Sequence, residues 1–582
     1  MQGLENNVLC VPADAIRCRR VPELLLVAIT VMLVTVLTAC DPIADPSLSP
    51  MAGSPVTEIP EVTPLKPSSL RNLYWGDLHI HTALSSDAFA MGVRALPEDV
   101  YRFSRGLTID HGAGYPMTIR RQLDFAAVTD HAEYMGQARL AGLDIPTTRQ
   151  PLAQLLEEGS RLAVTRAWVE TMALMHGNGF QLTLSGVDAA INTAAWRTTV
   201  EAANTYNDPG KFTAFIGWEW SADGGDVTTH LHRNVIYGNS AVPDLPFSAI
   251  DGPEATDLWR FMRSERAQGR SVIAIPHNAN LSQGLMYRVE DSEGRLLVEA
   301  VPDDRSDLEP ISEILQVKGA SETHPLLSSL DEFAGFEIAS AVPGQQGTLE
   351  TVKGSYARDA LRRGISLAHR EGFNPFVFGV IGASDSHNAS SVTDEDNYTG
   401  KLPMMDGSAG LRTGEAGLGL AYMTPARSWG SGGLAGVWAE ENTREGIFAA
   451  LKRREVYATS GPRISVRLTA NTNGKNLSCS GSEQGNQNAM VSMGGDFHTA
   501  QGLPSFKVHA QADQTPLQQI EIIKGQYVNG EFKESKSTIW QQADNGGDVC
   551  QVWEDQDFNP KAPAFWYARI KQAATPRWSA KL

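Results

Sequence analysis

Two histidines two residues apart, His79 and His81, lie in the stretch YWGDLHIHTALSSD, with Asp87 six residues further on. On a β-strand, residues i and i+2 point to one face, so two imidazoles converge from a single strand end. The pattern recurs along the chain. An apolar run at Phe125–Val128 leads into Thr129-Asp130-His131, and a run from Phe212 to Trp218 leads into Glu219, set between two tryptophans. An unpaired carboxylate in such a place is costly to bury. The segment HLHRNVIY carries His230 and His232; Ser271–Ile275 delivers His277 and Asn278; Phe376–Ile381 runs into Asp385 and His387, again at i and i+2. The candidate donors are His79, His81, Asp87, His131, Glu219, His232, His277, Asp385 and His387, with His230 as the alternative to His232. Nitrogen and oxygen donors without cysteine are the set that two or three divalent ions such as Zn, Mn or Fe take. Ions so held acidify water and clamp the oxygens of a phosphoester. Structural metal sites are more often closed and rich in cysteine, so this donor set points to catalysis. Arg233 is a candidate partner for a substrate phosphate through its fork of donors. Asp130 is expected to orient a ligand histidine, and Asn278 and Lys318 are further possible substrate contacts.

Something must bring these strand ends together. Apolar strands alternate with helical stretches, and at least five strands end in His, Asp or Glu, which predicts a parallel α/β barrel with its site at the C-terminal ends of the strands. A short helix is expected from Pro97, and residues 150–205 are read as mainly helical and as an outer layer. Ile311–Val317 and Phe336–Ile338 are further strand candidates, Ala389–Trp429 reads as a long loop over the site, and Thr443 is the expected N-cap of a helix reaching Arg454. Beyond Ser460-Gly461-Pro462, short apolar or alternating runs between Asn- and Gly-rich turns predict a small antiparallel β domain over residues 465–582.

The order of the motifs resembles the PHP (polymerase and histidinol phosphatase) superfamily. The phrases DLHIHT, GWEWS, HRNVIY, IPHNANLS, GASDSHN and YATSGPR resemble its DUF3604 branch, over roughly residues 70–575. The resemblance implies an α/β fold with a distorted (β/α)7 TIM-like barrel over residues 70–464 and a di- or trinuclear metal site. It also implies three ligand sets: His79, His81, Glu219 and Asp385 at one metal, Asp87, His131 and His387 at a second, and Glu219, His232 and His277 at a third. His232 is preferred to His230 because it adjoins the Arg233-Asn234 pair of the branch. Glu219, Asp385 and Arg233 are then the residues expected to act in the reaction.

The N-terminus speaks of destination. Arg17, Arg19 and Arg20 precede an apolar run, Leu24–Leu37, too short for a comfortable bilayer span. It ends in Leu37-Thr38-Ala39-Cys40, which resembles a bacterial lipobox. That implies a signal peptide over residues 1–39, lipid attachment at Cys40, and a membrane-anchored lipoprotein facing the periplasm or cell exterior. Residues 40–69, rich in Pro, Ser and Thr, read as a tether. In an oxidising compartment the two cysteines left over, Cys479 and Cys550, are a disulfide candidate. At 582 residues, 42% hydrophobic and 20% charged, the chain is globular and large enough for more than one folding unit. Its net charge of −18 argues against a nucleic-acid partner. The expected function is a metal-dependent hydrolase acting on a small, anionic, phosphoester substrate. The alternatives are a metal-braced surface binding lipoprotein without turnover and a hydrolase of a non-phosphate ester or amide. Histidines 111, 176, 324, 369, 498 and 509 match no motif.

Overall fold

The computed structural model describes residues 71–175, 189–224, 229–290, 295–296, 305–338, 349–413, 429–471, 477–480, 490–497, 502–542 and 546–581. The expected leader, lipid site and tether lie outside them, as do His176, His498 and residues 414–428 of the long loop. The body strands run in chain order as β1 (Asn72–Ile80), β2 (Phe125–Val128), β3 (Thr213–Trp220), β4 (Arg233–Tyr237), β5 (Val272–Pro276), β6 (Ile311–Gln316), β7 (Gly379–Gly382), β8 (Leu434–Ala439) and β9 (Val456–Thr459). Seven of them form one sheet in the order β9-β8-β1-β2-β3-β4-β5, and β7, β6 and the short strand Gly319–Ala320 form another. The second sheet stands between the edges of the first. Ser312 on β6 donates to the Pro276 carbonyl at the end of β5, and Gly433, just before β8, donates to the carbonyl of Ala383, just after β7.

The mixed α/β class is as expected, but the strands are not all parallel. Only β1–β2, β2–β3 and β6–β7 pair in parallel; β8–β1, β8–β9, β3–β4 and β4–β5 are antiparallel. The connection from β3 to β4 has no helix among its described residues, and a parallel crossover needs a helix-sized excursion. Phe336–Ile338, expected as a strand, falls in turns, and Phe336 is largely exposed.

Runs such as FAAV and TAFIGWEW are buried along their whole length, as strands covered on both faces must be. One face packs Phe125, Phe215, Ile236, Ile273 and Ile381, and the other Val128, Ile216, Trp218 and Val235. Gly76 on β1 is required by a close approach: a Cβ there would lie 2.2 Å from the Phe125 ring. The helices include α1 (Pro97–Ser104), α2 (Leu152–Glu158), α3 (Arg161–Met175), α4 (Ala189–Tyr206), α5 (Ala255–Ala267), α6 (Ala357–Glu371) and α7 (Arg444–Lys452). Trp196 of α4 meets Trp218 edge-on at 5.5 Å. Thr443 caps α7 by accepting from the Gly446 N–H at 3.0 Å, which a hydroxyl at that position does for an otherwise unsatisfied donor.

The C-terminal strands are β10 (Ser465–Asn471), β11 (Met490–Ser492), β12 (Ser505–Gln511), β13 (Leu517–Val528), β14 (Glu531–Gln541), β15 (Asp548–Glu554) and β16 (Ala564–Gln572). They make two antiparallel sheets, β11-β10-β12-β15 and β14-β13-β16. Cys479 and Cys550 form a disulfide. These sheets join the body through a buried ionic network. Arg358 of α6 reaches Glu322 at 2.6 Å, Asp331 at 2.9 Å and Glu534 of β14 at 2.9 Å, while Arg569 of β16 reaches Asp331 at 2.6 Å. Burial raises the Asp331 carboxyl, but Arg569 and Arg358 outweigh it and hold the group below its ordinary range.

Removing Arg358 takes from Glu534 its arginine contact to the body and leaves Asp331 and Glu322 with Arg569 as their remaining arginine. Arg358→Ala is therefore expected to cost about 3–5 kcal/mol in denaturant unfolding. Because the folded-state pKa of Asp331 is depressed, its stabilisation is present above about pH 4 and fades as pH falls through the folded value. Arg358→Ala should correspondingly flatten the acid limb of the stability curve, and wild-type acid sensitivity in that variant would contradict the network.

Candidate metal centre

Glu219, at the end of β3, is 1% exposed and lies at the middle of five imidazoles. Its Oε1 is 2.6 Å from His232 Nδ1, 3.0 Å from His277 Nε2 and 3.6 Å from His131 Nδ1. Its Oε2 is 3.1 Å from His81 Nε2 and 3.3 Å from His79 Nε2. Asp385 faces the same two histidines from the segment that follows β7, its Oδ1 lying 3.4 Å from His79 Nε2 and 3.5 Å from His81 Nε2. A third patch joins Asp87 Oδ2 to His387 Nε2 at 2.9 Å and to His131 Nε2 at 3.6 Å. All nine candidate donors are thus brought together. His232 takes the place beside Glu219. His230 sits behind it, ring against ring at 4.7 Å, and its backbone N–H bonds the Leu281 carbonyl. Among the described residues, His111, His324, His369 and His509 belong to no donor group.

The backbone explains the convergence. β1 and the segment after β7 are zipped together: the Asp385 N–H donates to the His79 carbonyl, the His81 N–H to the Ser386 carbonyl and the Ala389 N–H to the His81 carbonyl. Asp77, buried two residues before His79, accepts from the His79 and Ser384 N–H groups and from the Ser391 hydroxyl. Asp385 adopts a left-handed φ of 54°, the kind of strained backbone that persists where surrounding bonds over-determine it. Asp130 does not reach a histidine directly. It accepts from the backbone and hydroxyl of Thr82, and so fixes the turn in which Ser85 bonds His81 Nδ1 at 2.8 Å and the His131 N–H at 3.0 Å.

Several partners escaped the motif reading. Glu313, in the middle of β6, lies 2.9 Å from His79 Nδ1, and Ser221 Oγ lies 2.5 Å from His131 Nδ1. Lys401 Nζ contacts Asp385 Oδ1 and His387 Nδ1, both at 2.9 Å. Lys318, which the sequence did single out, has its Nζ 2.5 Å from Asp385 Oδ2. Arg233 is the correction. Its guanidinium is buried against Glu309 at 2.9 Å, with Arg305 on the other carboxylate oxygen at 3.0 Å and the Trp220 ring beside it. It braces β4 and does not face the donor cluster. Asn278 likewise serves its loop, at φ 58° with its side-chain oxygen accepting from Gln316.

The electrostatics follow from burial among mixed charges. Burial raises Glu219, but His131, His277 and His232 outweigh it and hold the carboxyl well below its usual range. Asp385 is likewise held well below by Lys318, Lys401 and His79 against the effect of burial. Burial drives His232 and His277 down, and His387 down to about 3. His79 moves the other way, to about 10: burial opposes the shift, but Asp385 and Glu313 overcome it. His131 also rises to about 10, burial being overcome by Glu219 and Asp87. Ionised Glu219 and Asp385 beside neutral His232, His277 and His387 are in the state that ligates a metal, whereas His79 and His131 must each give up a proton to an incoming ion.

The residues fit such an ion. Four ligands about 2.1 Å from a tetrahedral centre stand about 3.4 Å apart. The four nitrogen-to-oxygen separations between the two histidines and the two carboxylates are 3.1, 3.3, 3.4 and 3.5 Å, a spacing at which neighbouring donors can share an ion. His81 Nε2 is buried without an aligned hydrogen bond, although it faces two carboxylates. A cation between them would resolve that mismatch. Among the described residues four overlapping groups have donors close enough to share an ion: His79, His81 and Glu219; Glu219, His232 and His277; His81, His131 and His387; and His79, His277 and Glu313.

The site is thus a buried cluster of His and carboxylate donors able to hold metal ions. The chain belongs to a family described as protein of unknown function (DUF3604), whose model matches residues 68–543 and 533–582. No curated protein matches it. A solved two-domain protein from Bacteroides vulgatus, described as containing a predicted PHP-like metal-dependent phosphoesterase, is similar at 11% identity over 85% of this chain and 91% of that one, with a TM-score of 0.30. That likeness is too slight to carry an argument.

Glu313 should matter to the ions without touching them, since a carboxylate on the far nitrogen of a ligand histidine fixes its tautomer. Glu313→Gln is expected to weaken Zn2+ or Mn2+ binding about 10- to 100-fold in a calorimetric titration. Unchanged affinity would make the His79–Glu313 contact incidental.

Proposed function

We propose that the chain is a metal-dependent hydrolase acting on small phosphoester substrates through two or three divalent ions held by the nine donors. The observation that carries the reading is the convergence of two histidines and two carboxylates from β1, β3 and the segment after β7, with nitrogen-to-oxygen separations of 3.1 to 3.5 Å. His79, His81, Glu219 and Asp385 would hold one ion, Asp87, His131 and His387 a second, and Glu219, His232 and His277 a third. Bound there, the ions would supply Lewis acidity toward a phosphoryl oxygen and toward water. The protein's own part is orientation. Glu313 and Ser85 occupy the outer nitrogens of His79 and His81, leaving the inner nitrogens facing the carboxylates. Lys318 and Lys401 balance the charge of Asp385, and the surrounding burial keeps water from competing for the donors.

In this reading the two body sheets together are the distorted barrel of the PHP class, and residues 465–582 are a separate appended unit. The leader, with lipid attachment at Cys40, would place the enzyme on the outer side of a membrane. Nothing in the −18 chain favours a nucleic-acid substrate.

The test is hydrolysis of generic aryl phosphomonoesters and phosphodiesters by the mature chain loaded with Zn2+ or Mn2+. His79→Ala and Asp385→Ala should each lose at least about a hundredfold in kcat/KM, beyond the effect usual for outer partners. Metal-loaded protein that turns over neither ester class, or variants that match wild type, would contradict the phosphoesterase reading.

A further inference from the structure

Two lysines flank Asp385, and they are not equivalent. Lys401 is 5% exposed, and its ammonium is enclosed by the main-chain oxygen of Asp385 at 2.5 Å, Asp385 Oδ1 at 2.9 Å and His387 Nδ1 at 2.9 Å. Two acceptors and a ring pack around it, so Lys401 is held away from any ligand. Lys318 is 14% exposed, and among the described residues its ammonium contacts Asp385 Oδ2 alone. That leaves donors uncommitted on a cation at the edge of the cluster.

The backbone that carries Lys318 is fixed. It lies in the turn between β6 and Gly319–Ala320, where Gly319 has a φ of 99°. The Lys318 N–H donates to the Gln316 side chain, and its carbonyl accepts from Asn280. Gln316 in turn donates to Asn278, on the loop that follows His277. A flexible side chain therefore stands on a rigid base, anchored to the same loop that carries a candidate ligand.

We propose that Lys318 is the anion-holding residue of this centre, turning its spare donors onto a non-bridging oxygen of the substrate's phosphate. The inference rests on the phosphoester reading above and goes further by naming the group that grips the ligand. Arg233, which the sequence favoured for this role, is spent on Glu309. Lys401 is sealed in and holds the ligand side chains instead.

Inorganic phosphate is the probe. The mature chain is loaded with Zn2+, its metal content is measured, and phosphate binding is followed by calorimetry, a readout independent of turnover. Lys318→Met should keep the metal content of wild type and lose about ten- to hundredfold in phosphate affinity, as removal of a charge-assisted hydrogen bond does. Lys318→Arg should recover part of the loss. If Lys318→Met binds phosphate as wild type does, the proposal fails while the phosphoester reading stands. If the variant loses metal while its loaded fraction keeps full phosphate affinity, Lys318 is a neutraliser of Asp385 and the proposal is overturned. If wild type itself binds no phosphate, the phosphoester reading fails and takes the proposal with it.

Discussion

Burying an ionised carboxylate costs several kcal/mol unless opposite charge and hydrogen bonds surround it, and Glu219 is buried at the end of a strand lined by tryptophans. The arrangement around it answers that cost. Five imidazoles from four different segments approach its two oxygens, so one side chain sets where β1, β2 and β5 must end and where β4 must begin. Removing that charge would leave His232 and His277 without the carboxylate oxygen they share. A divalent ion between Glu219 and Asp385 supplies the same compensation in stronger form, and the site is shaped for it.

The second constraint is covalent geometry. Histidines at i and i+2 face one way only while the strand stays extended, and β1 is held extended by parallel pairing with β2 on one side and by the bonds from Ser384 to Ala389 near its end. Asp77 ties the two segments below the site, and the Asp130–Thr82–Ser85 bonds tie the turn above it. Neither carboxylate touches the cluster, yet both decide where His79, His81 and His131 point. The ionic joint of Arg358, Asp331 and Arg569 does a comparable task far from the site, fixing the C-terminal sheets to α6 and the turns beside it.

Much of the centre was legible because its donors obey a local rule: polar residues that end apolar strands, often in i, i+2 pairs. That rule found His79, His81, Asp385 and His387, and the cost of an isolated buried carboxylate pointed to Glu219. The same cost applies to Glu313 in ISEILQ, and this was the signal available for it. Lys401 sits in a polar loop with no periodicity, so its role depends on a fold-back that no local pattern encodes. Arg233 misled because adjacency to His232 along a strand puts the two side chains on opposite faces, and the face Arg233 occupies belongs to Glu309. Strand–helix alternation gave the α/β class but not the strand directions. The connection from β3 to β4 has no helix among its described residues, so the two strands pair antiparallel; β4 and β5 pair antiparallel although α5 lies between them. Alternation alone does not fix direction.

The most direct test of the account is the metal content of the purified protein after loading with Zn2+ or Mn2+ and dialysis, measured by inductively coupled plasma mass spectrometry beside Glu219→Gln. The account predicts two or three ions per wild-type chain and a clear fall in the variant, because Glu219 serves two of the three donor sets. Fewer than one ion per wild-type chain, or a variant that keeps the full complement, would contradict it.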